Sequence, residues 1–200
     1  MKQAILYIHG KNGSPDEAEH YKTICSSYDV FGLDYHGETP YDTKDEILAF
    51  YDNLSKDYSR ISIIANSIGA FFAMNSLQER KIFQAFLISP IVDMEKLIAD
   101  LMTFAGVSER ELEANGEIDT AFGEKLSWKY LLYVRKNPII WNVKTYILYG
   151  ENDNLTSYET ISKFAERINA NLTIMKNGEH WFHTDEQLAF LDDWLRSSIK

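Results

Sequence analysis

The sequence predicts an α/β protein in which helices cover both faces of a doubly wound, mostly parallel β-sheet. Short runs rich in β-branched and aromatic residues alternate with segments whose apolar residues recur at helical spacing. Several strand-like runs are almost continuously apolar, which is typical of parallel strands buried on both sides. We therefore expect one α/β domain over residues 1–200, with a sheet of about six strands.

Six segments carry the strand pattern, and they are spread over the whole chain. The predicted strands span residues 3–9, 29–35, 60–65, 83–89, 144–150 and 171–176. Parallel strands place their carboxyl ends at one edge of a sheet, so reactive side chains should gather in the loops that follow these strands.

Most predicted helices begin with a capping residue ahead of an apolar face. A Ser or Thr three residues before a Glu or Gln can satisfy the free backbone N–H groups of the first turn. The pairs are Ser14 with Glu17, Thr43 with Glu46, Ser108 with Glu111 and Thr184 with Gln187. Two further helices are predicted over residues 70–77 and 158–169.

One stretch interrupts the alternation of strands and helices. Residues 91–138 show no convincing strand pattern but several helical ones, so we expect a helical insert after the fourth strand. It is much longer than an ordinary connection. Its aromatic residues would either line a pocket or pack the insert onto the sheet, and packing is favoured for each single residue.

Charge and cysteine content exclude some functional classes. The formal net charge of −10 argues against nucleic-acid binding, because phosphate recognition needs a basic face.

No membrane-spanning segment or secretory leader is recognisable, so we expect a cytoplasmic protein that begins at Met1. The single cysteine, Cys25, cannot form an internal disulfide, lies on an apolar helix face and is expected to be buried rather than reactive.

The segment Ala65-Asn66-Ser67-Ile68-Gly69 joins a buried strand to a helix, as a nucleophile elbow does. At such a sharp turn the serine hydroxyl projects above the sheet, beside helix N–H groups that favour negative charge. The flanking positions must be small, a demand that Gly69 meets and Ala65 meets less well. The alternative is an ordinary N-cap serine.

A serine nucleophile needs a base, and the base needs an orienting acid. Asp153 follows the fifth predicted strand, and His180 follows the sixth. Both therefore fall at the same sheet edge as Ser67. The turn after the first strand, His9-Gly10-Lys11-Asn12-Gly13, lies there as well, and the N–H groups of Lys11 and Ile68 would form an oxyanion hole.

Together these segments resemble the small single-domain serine hydrolases of the α/β-hydrolase superfamily. The matching segments are residues 9–10, 34–37, 65–69, 150–153 and 178–182, so the resemblance covers essentially the whole chain. It implies Ser67 as nucleophile, Asp153 as acid and His180 as base. It also implies supporting roles for His9, Gly10 and Gly69, and a cap formed by the insert at 91–138.

The sequence departs from this family in two places. Ala65 replaces the first glycine of the elbow, a substitution that some members tolerate. The chain also opens directly on the strand that leads to the oxyanion turn, so we expect a trimmed α/β-hydrolase fold without the family's first antiparallel strands.

Other residues compete for the same roles. His183 is a rival base, although the preceding glycine and the family pattern favour His180. Asp93, just past the fourth strand, is a rival acid. Asp34 and His36 follow the second strand and either border the site or form structural hydrogen bonds.

The sequence thus predicts a serine hydrolase that cleaves small to medium, apolar or mixed carboxylic esters or thioesters through an acyl-enzyme on Ser67. No metal-binding or nucleotide-binding motif is present, so we expect no cofactor and no metal. The alternatives are a peptidase, an amidase or an acyltransferase with the same triad, and a non-catalytic binding protein of the same fold. Oligomeric state is not predicted.

Overall fold

The computed structural model describes residues 2–199, which form eight strands and eight α-helices. The strands are β1 (Gln3–Ile8), β2 (Asp29–Gly32), β3 (Arg60–Asn66), β4 (Ala85–Ile88), β5 (Glu117–Asp119), β6 (Lys125–Ser127), β7 (Thr145–Gly150) and β8 (Asn171–Met175). The helices are α1 (Ala18–Ile24), α2 (Pro40–Leu54), α3 (Ser67–Leu77), α4 (Met94–Ala105), α5 (Glu109–Asn115), α6 (Trp128–Lys136), α7 (Tyr158–Arg167) and α8 (Asp185–Ser198).

Six strands form one sheet in the order β2-β1-β3-β4-β7-β8, and every neighbouring pair is parallel. The predicted six-stranded parallel sheet is therefore confirmed. The chain runs from β1 outward to β2 and then crosses back to β3 on the other side of β1. The connections that follow β1 and β3 therefore run in opposite directions from the middle of the sheet.

Helices cover both faces of this sheet. Residues Ala4–Ile8 of β1 are all fully buried, although successive side chains of a strand point to opposite faces. One face packs against α1 and α8, with Tyr7, Tyr21 and Trp194 in a single apolar cluster. Helices α2 and α3 pack against each other.

Residues Asp93–Ile139 form a separate compact unit, and these bounds are within two residues of those of the predicted insert, 91–138. Within this unit Arg135 on α6 forms ion pairs with Glu95 on α4 and Glu109 on α5, with N–O distances of 2.7 and 2.6 Å. Within this unit lies an open cavity of about 510 Å³. Its lining includes Trp128, Leu132 and Tyr133.

The prediction that the insert contains no strand is wrong, because β5 and β6 pair there as an antiparallel hairpin. Each strand has only three residues, too few to show a two-residue periodicity. The loop between them is closed by Thr120, whose hydroxyl donates to the Glu124 carbonyl and accepts from its N–H.

The second capping pair is also wrong. Helix α2 begins at Pro40, one turn before Thr43, and Thr39 is its N-cap, with a side chain that accepts from the Asp42 N–H. Proline at the first helical position favours this earlier start, because it has no N–H to leave unsatisfied. Thr43 instead lies buried inside the helix.

The other three capping pairs are confirmed. Both reciprocal hydrogen bonds of a capping box are present at Ser14 with Glu17 and at Ser108 with Glu111. Ser14 first caps a 3₁₀ turn at Pro15–Glu17, which leads into α1. Thr184 caps α8 by accepting from the Gln187 N–H.

Two further predictions concern burial and membranes. Cys25 is buried, and burial raises the pKa of its thiol to about 11, so the thiol stays protonated and unreactive at neutral pH. Within residues 2–199, no helix is both long and apolar enough to cross a membrane.

Candidate active site

Ser67 lies at the sharp junction between β3 and α3. Its φ of +50° is a left-handed backbone conformation that non-glycine residues rarely adopt. Such strain persists only where the surroundings hold it, and it is concentrated at functional sites. Here the Ser67 carbonyl accepts a hydrogen bond from the Ile91 N–H at 3.1 Å, which helps to hold the turn.

The third residue of α3 must be glycine. A Cβ atom on Gly69 would lie 2.1 Å from the His9 carbonyl oxygen and 2.7 Å from that of Ile8. These are backbone atoms at the end of β1, so they cannot move aside without disturbing the centre of the sheet. Helix α3 therefore approaches the turn after β1 as closely as a glycine allows.

The substitution Gly69→Ala is expected to lower the free energy of unfolding by at least about 3 kcal/mol, because it forces backbone apart in a packed core. Chemical unfolding followed by circular dichroism measures this. The control is Gly106→Ala, where φ is +68° but nothing lies within 4 Å of the added Cβ. That variant should lose only about 1 kcal/mol. Equal losses in the two variants would contradict the close-approach argument.

A continuous chain of hydrogen bonds joins the three predicted triad residues. The Ser67 hydroxyl lies 2.8 Å from His180 Nε2, and His180 Nδ1 lies 2.7 Å from a carboxylate oxygen of Asp153. Since a carboxylate can only accept, Nδ1 carries the proton, and Nε2 is left to accept from the serine hydroxyl. This is the tautomer that a general base requires.

Asp153 is held in one orientation by its own loop. Its second carboxylate oxygen accepts from the N–H groups of Leu155 at 2.8 Å and Thr156 at 2.9 Å. The side chain has no exposed surface. A carboxylate with three donors in place is fixed in direction, so it can orient the His180 ring.

The turn after β1 lies beside Ser67. A Cβ on Gly10 would be 3.3 Å from the Ser67 Cβ. The Gly10 carbonyl accepts from the Gly13 N–H at 3.1 Å and from His9 Nδ1 at 2.8 Å. In a trans peptide the Lys11 N–H points away from that carbonyl, so these two bonds set its direction. Ile68 lies in the first turn of α3, where N–H groups have no intrahelical acceptor.

His9 is itself buried and firmly held. Its ring stacks on Tyr35, with centroids 4.2 Å apart and planes at 11°, and the Tyr35 hydroxyl donates to the His9 carbonyl at 2.7 Å. Burial raises the pKa of Tyr35, so this donor keeps its proton. The first and second strand-end loops are thereby tied together.

The loop that carries His180 is fastened by one buried amide. Gln187 donates from Nε2 to the Glu179 carboxylate at 3.3 Å and accepts from the His183 N–H at 3.1 Å. It thus spans the loop from one side of His180 to the other. Gly150 packs closely against Gly178 in this loop, since a Cβ on Gly150 would lie 2.6 Å from the Gly178 carbonyl oxygen.

The rival residues lie in other surroundings. His183 stacks on Trp181, and its Nδ1 donates to the Trp181 carbonyl at 2.8 Å. Asp93 caps α4 by accepting from the Lys96 N–H at 2.9 Å. The side chains of Asp34 and His36 are 68% and 81% exposed, and His36 Nε2 lies 4.0 Å from a carboxylate oxygen of Asp34.

The motifs of the sequence do not indicate the supporting roles of Tyr35, Gln187 and Tyr7. The Tyr7 hydroxyl accepts from Asn66 Nδ2 at 2.9 Å, beneath the elbow, and donates to Glu17. A polar atom inside a strand as apolar as β1 is a signal that could have identified Tyr7. Tyr35 and Gln187 carry no comparable local signal.

This arrangement can move a proton from the Ser67 hydroxyl to His180 and stabilise the resulting imidazolium with Asp153. Among residues 2–199 no group of three or more His, Cys, Asp or Glu side chains is arranged to hold a metal ion.

Solved structures of hydrolases and esterases are similar to this chain over almost its whole length. Alpha/beta hydrolase domain-containing protein 10 from mouse is 14% identical, with a TM-score of 0.78 over 98% of this chain and 89% of the mouse chain. Est1E from Butyrivibrio proteoclasticus is 19% identical, with a TM-score of 0.73 over 98% and 86%. The esterase Pf2001 from Pyrococcus furiosus is 22% identical, with a TM-score of 0.59 over 98% and 83%.

No protein-family model and no curated protein sequence matches the chain. At these identities, similarity to solved structures establishes the fold alone. The chain has the α/β-hydrolase fold, as the resemblance of its motifs implies, in a form with six parallel strands.

Proposed function

We propose that this protein is a serine hydrolase that cleaves carboxylic esters through an acyl-enzyme on Ser67. The observation that carries the proposal is the hydrogen-bond chain from Ser67 through His180 to Asp153, with distances of 2.8 and 2.7 Å. The strained backbone of Ser67 and the turn at Gly10–Gly13 beside it add support, because an acyl-transfer site needs an accessible nucleophile and nearby N–H donors.

Acylation begins when His180 Nε2 takes the hydroxyl proton as Ser67 Oγ attacks the ester carbonyl carbon. Negative charge develops on the carbonyl oxygen, where the N–H groups of Lys11 and Ile68 would donate to it. One such donor contributes about 2.7–4 kcal/mol to lowering the barrier. His180 then gives its proton to the alcohol oxygen, the carbon–oxygen bond breaks and the alcohol leaves.

Deacylation repeats these steps with water. His180 takes a proton from the water molecule as its oxygen attacks the acyl carbon, and it returns that proton to Ser67 Oγ when the carboxylic acid departs. Asp153 takes no proton in these steps and holds the ring in one tautomer. Every proton and electron pair is therefore accounted for without a cofactor.

Several related functions share this chemistry. Thioesters are attacked in the same way, and amides and peptides differ in the leaving group that His180 must protonate. An acyltransferase differs only in the acceptor that displaces the acyl group. Esters are favoured because structures similar to this chain include an esterase. A non-catalytic binding protein of this fold is the contrasting proposal, and it requires no reactive serine.

Fluorophosphonate labelling tests the proposal directly. Ser67 Oγ is expected to displace fluoride from the probe and retain the phosphonyl group, because the activated serine attacks phosphorus as it attacks a carbonyl carbon. Intact-protein mass spectrometry measures the adduct, and peptide mapping locates it. The wild-type protein should also hydrolyse 4-nitrophenyl acetate, with release of 4-nitrophenolate followed by absorbance.

Two variants serve as controls. Ser67→Ala should neither label nor hydrolyse, whereas Ser76→Ala, which removes a buried serine hydroxyl from the same helix, should do both. If folded wild-type protein fails to label, or if the adduct maps to another residue, the proposed nucleophile is wrong.

A further inference from the structure

The loop that carries His180 presents an indole ring to solvent. Trp181 follows His180 directly and is 72% exposed, whereas Trp141 and Trp194 are only 3% and 5% exposed. Tryptophan has a large apolar surface and is normally well buried, so a ring left in water is unusual. Trp181 therefore offers apolar surface to a ligand in the residue that follows the candidate base.

One face of this ring packs against a neighbouring side chain. It stacks on His183 with centroids 4.4 Å apart and planes at 18°, and His183 Nδ1 donates to the Trp181 carbonyl at 2.8 Å. Gln187 in turn accepts from the His183 N–H. Stacking covers one face of the indole and leaves the other face and the edge for a ligand. A rigid aromatic group of this kind binds without a large loss of conformational entropy.

The position of Trp181 in the sheet indicates which part of an ester it meets. Seen from β3, which ends just before Ser67, the oxyanion turn follows β1 on one side, while His180 and Trp181 follow β8 on the other. The leaving alcohol must lie within hydrogen-bond reach of His180 Nε2, because that atom protonates it. Trp181 is adjacent to His180 in the chain and is thus on the alcohol side.

We infer that Trp181 binds the alcohol part of the ester and selects for flat or apolar alcohols. The inference rests on the proposed ester hydrolysis and adds which side of the scissile bond is recognised. The acyl part, in contrast, does not take a proton from His180. Trp181 is therefore a specificity-determining residue for the leaving group.

A series of acetate esters tests this selection. Ethyl, butyl and 2-phenylethyl acetate all form the same acetyl-enzyme, so differences in kcat/KM arise from binding and acylation. For the wild-type protein kcat/KM should rise along the series. Trp181→Ala should lower it about tenfold for 2-phenylethyl acetate, as expected for loss of an aromatic contact, and less than about twofold for ethyl acetate. Trp181→Phe should retain most of the preference.

The matched series varies the acyl group at constant alcohol. With 4-nitrophenyl acetate, butyrate and hexanoate, Trp181→Ala should change kcat/KM by one common factor. The control variant is Ile174→Ala. Ile174 lies on β8, the strand that precedes the loop of Trp181, and its apolar side chain is 42% exposed. It should leave both series unchanged.

Acyl transfer supplies an independent measurement. A site that binds the departing alcohol also binds an incoming one, so 2-phenylethanol should compete with water for the acetyl-enzyme. Its oxygen would attack the acyl carbon while His180 takes its proton and returns it to Ser67 Oγ. With 4-nitrophenyl acetate as donor, the ratio of 2-phenylethyl acetate to acetic acid, measured by chromatography, should be about tenfold higher for wild type than for Trp181→Ala.

The outcomes separate the two proposals. If wild type neither labels with fluorophosphonate nor hydrolyses any ester, ester hydrolysis is wrong and the inference about Trp181 is overturned with it. If wild type is active but Trp181→Ala affects all alcohols equally, or affects the acyl series instead, only the role of Trp181 is overturned.

Discussion

Replacing His180 with alanine is expected to lower kcat/KM for 4-nitrophenyl acetate by a factor on the order of 10⁶, because the base is the part of a triad on which the serine depends. In the structure His180 is bonded to both Ser67 and Asp153, at 2.8 and 2.7 Å. Without the imidazole, the Ser67 proton has no acceptor and the leaving alcohol has no donor. Steady-state kinetics with purified protein measure the loss.

His183→Ala is the matched control, since it removes a second histidine from the same loop. The His183 ring contacts Trp181, so this variant should lower kcat/KM for 2-phenylethyl acetate by no more than about tenfold. Labelling of Ser67 by fluorophosphonate should stay intact. A large loss of activity in His183→Ala together with near-normal activity in His180→Ala would reverse the assignment of the base.

Local sequence was sufficient for the sheet and for the positions of the candidate residues. The strands are short apolar runs, and a parallel sheet brings the ends of such runs to one edge. Ser67 follows β3 directly, and Asp153 and His180 lie in the loops after β7 and β8, so their placement at one edge of the sheet could be predicted without the order of the strands. The strand order itself, with β1 in the interior of the sheet, had no counterpart in the local pattern.

The supporting residues could not be found in this way. The contact of Tyr35 with His9 joins two loops that are distant in the sequence, and each residue by itself is an ordinary aromatic side chain. Gln187 was assigned only to the capping of α8, although its side chain also fastens the loop around His180. Contacts of this kind depend on tertiary packing, which local patterns do not specify.

The hairpin and the start of α2 show the same limit at a smaller scale. Three-residue strands such as Glu117–Asp119 are too short for periodicity to distinguish them from a loop. At α2 the local pattern favours Thr43 as the cap, because Glu46 follows it by three residues. The structure begins the helix at Pro40, where the fixed φ of proline and its missing N–H match the first turn.

Asp153→Asn is expected to lower kcat/KM for 4-nitrophenyl acetate by about 10⁴. The new amide would keep an oxygen to accept from the Leu155 and Thr156 N–H groups, so the loop should stay folded. Its NH₂ group, however, would donate to His180 Nδ1 and move the ring proton to Nε2. That nitrogen could then no longer accept the Ser67 proton. Kinetics and circular dichroism together separate this loss from unfolding.

The control for this substitution is Asp93→Asn, at the rival acid. Asparagine caps helices about as well as aspartate, so α4 should keep its first turn and the activity should remain within about twofold of wild type. Asp153 can hold the imidazole only because two backbone donors fix one carboxylate oxygen while the other faces Nδ1. Full activity of folded Asp153→Asn would therefore show that the ring is oriented by another group, and a strong loss in Asp93→Asn would identify that group.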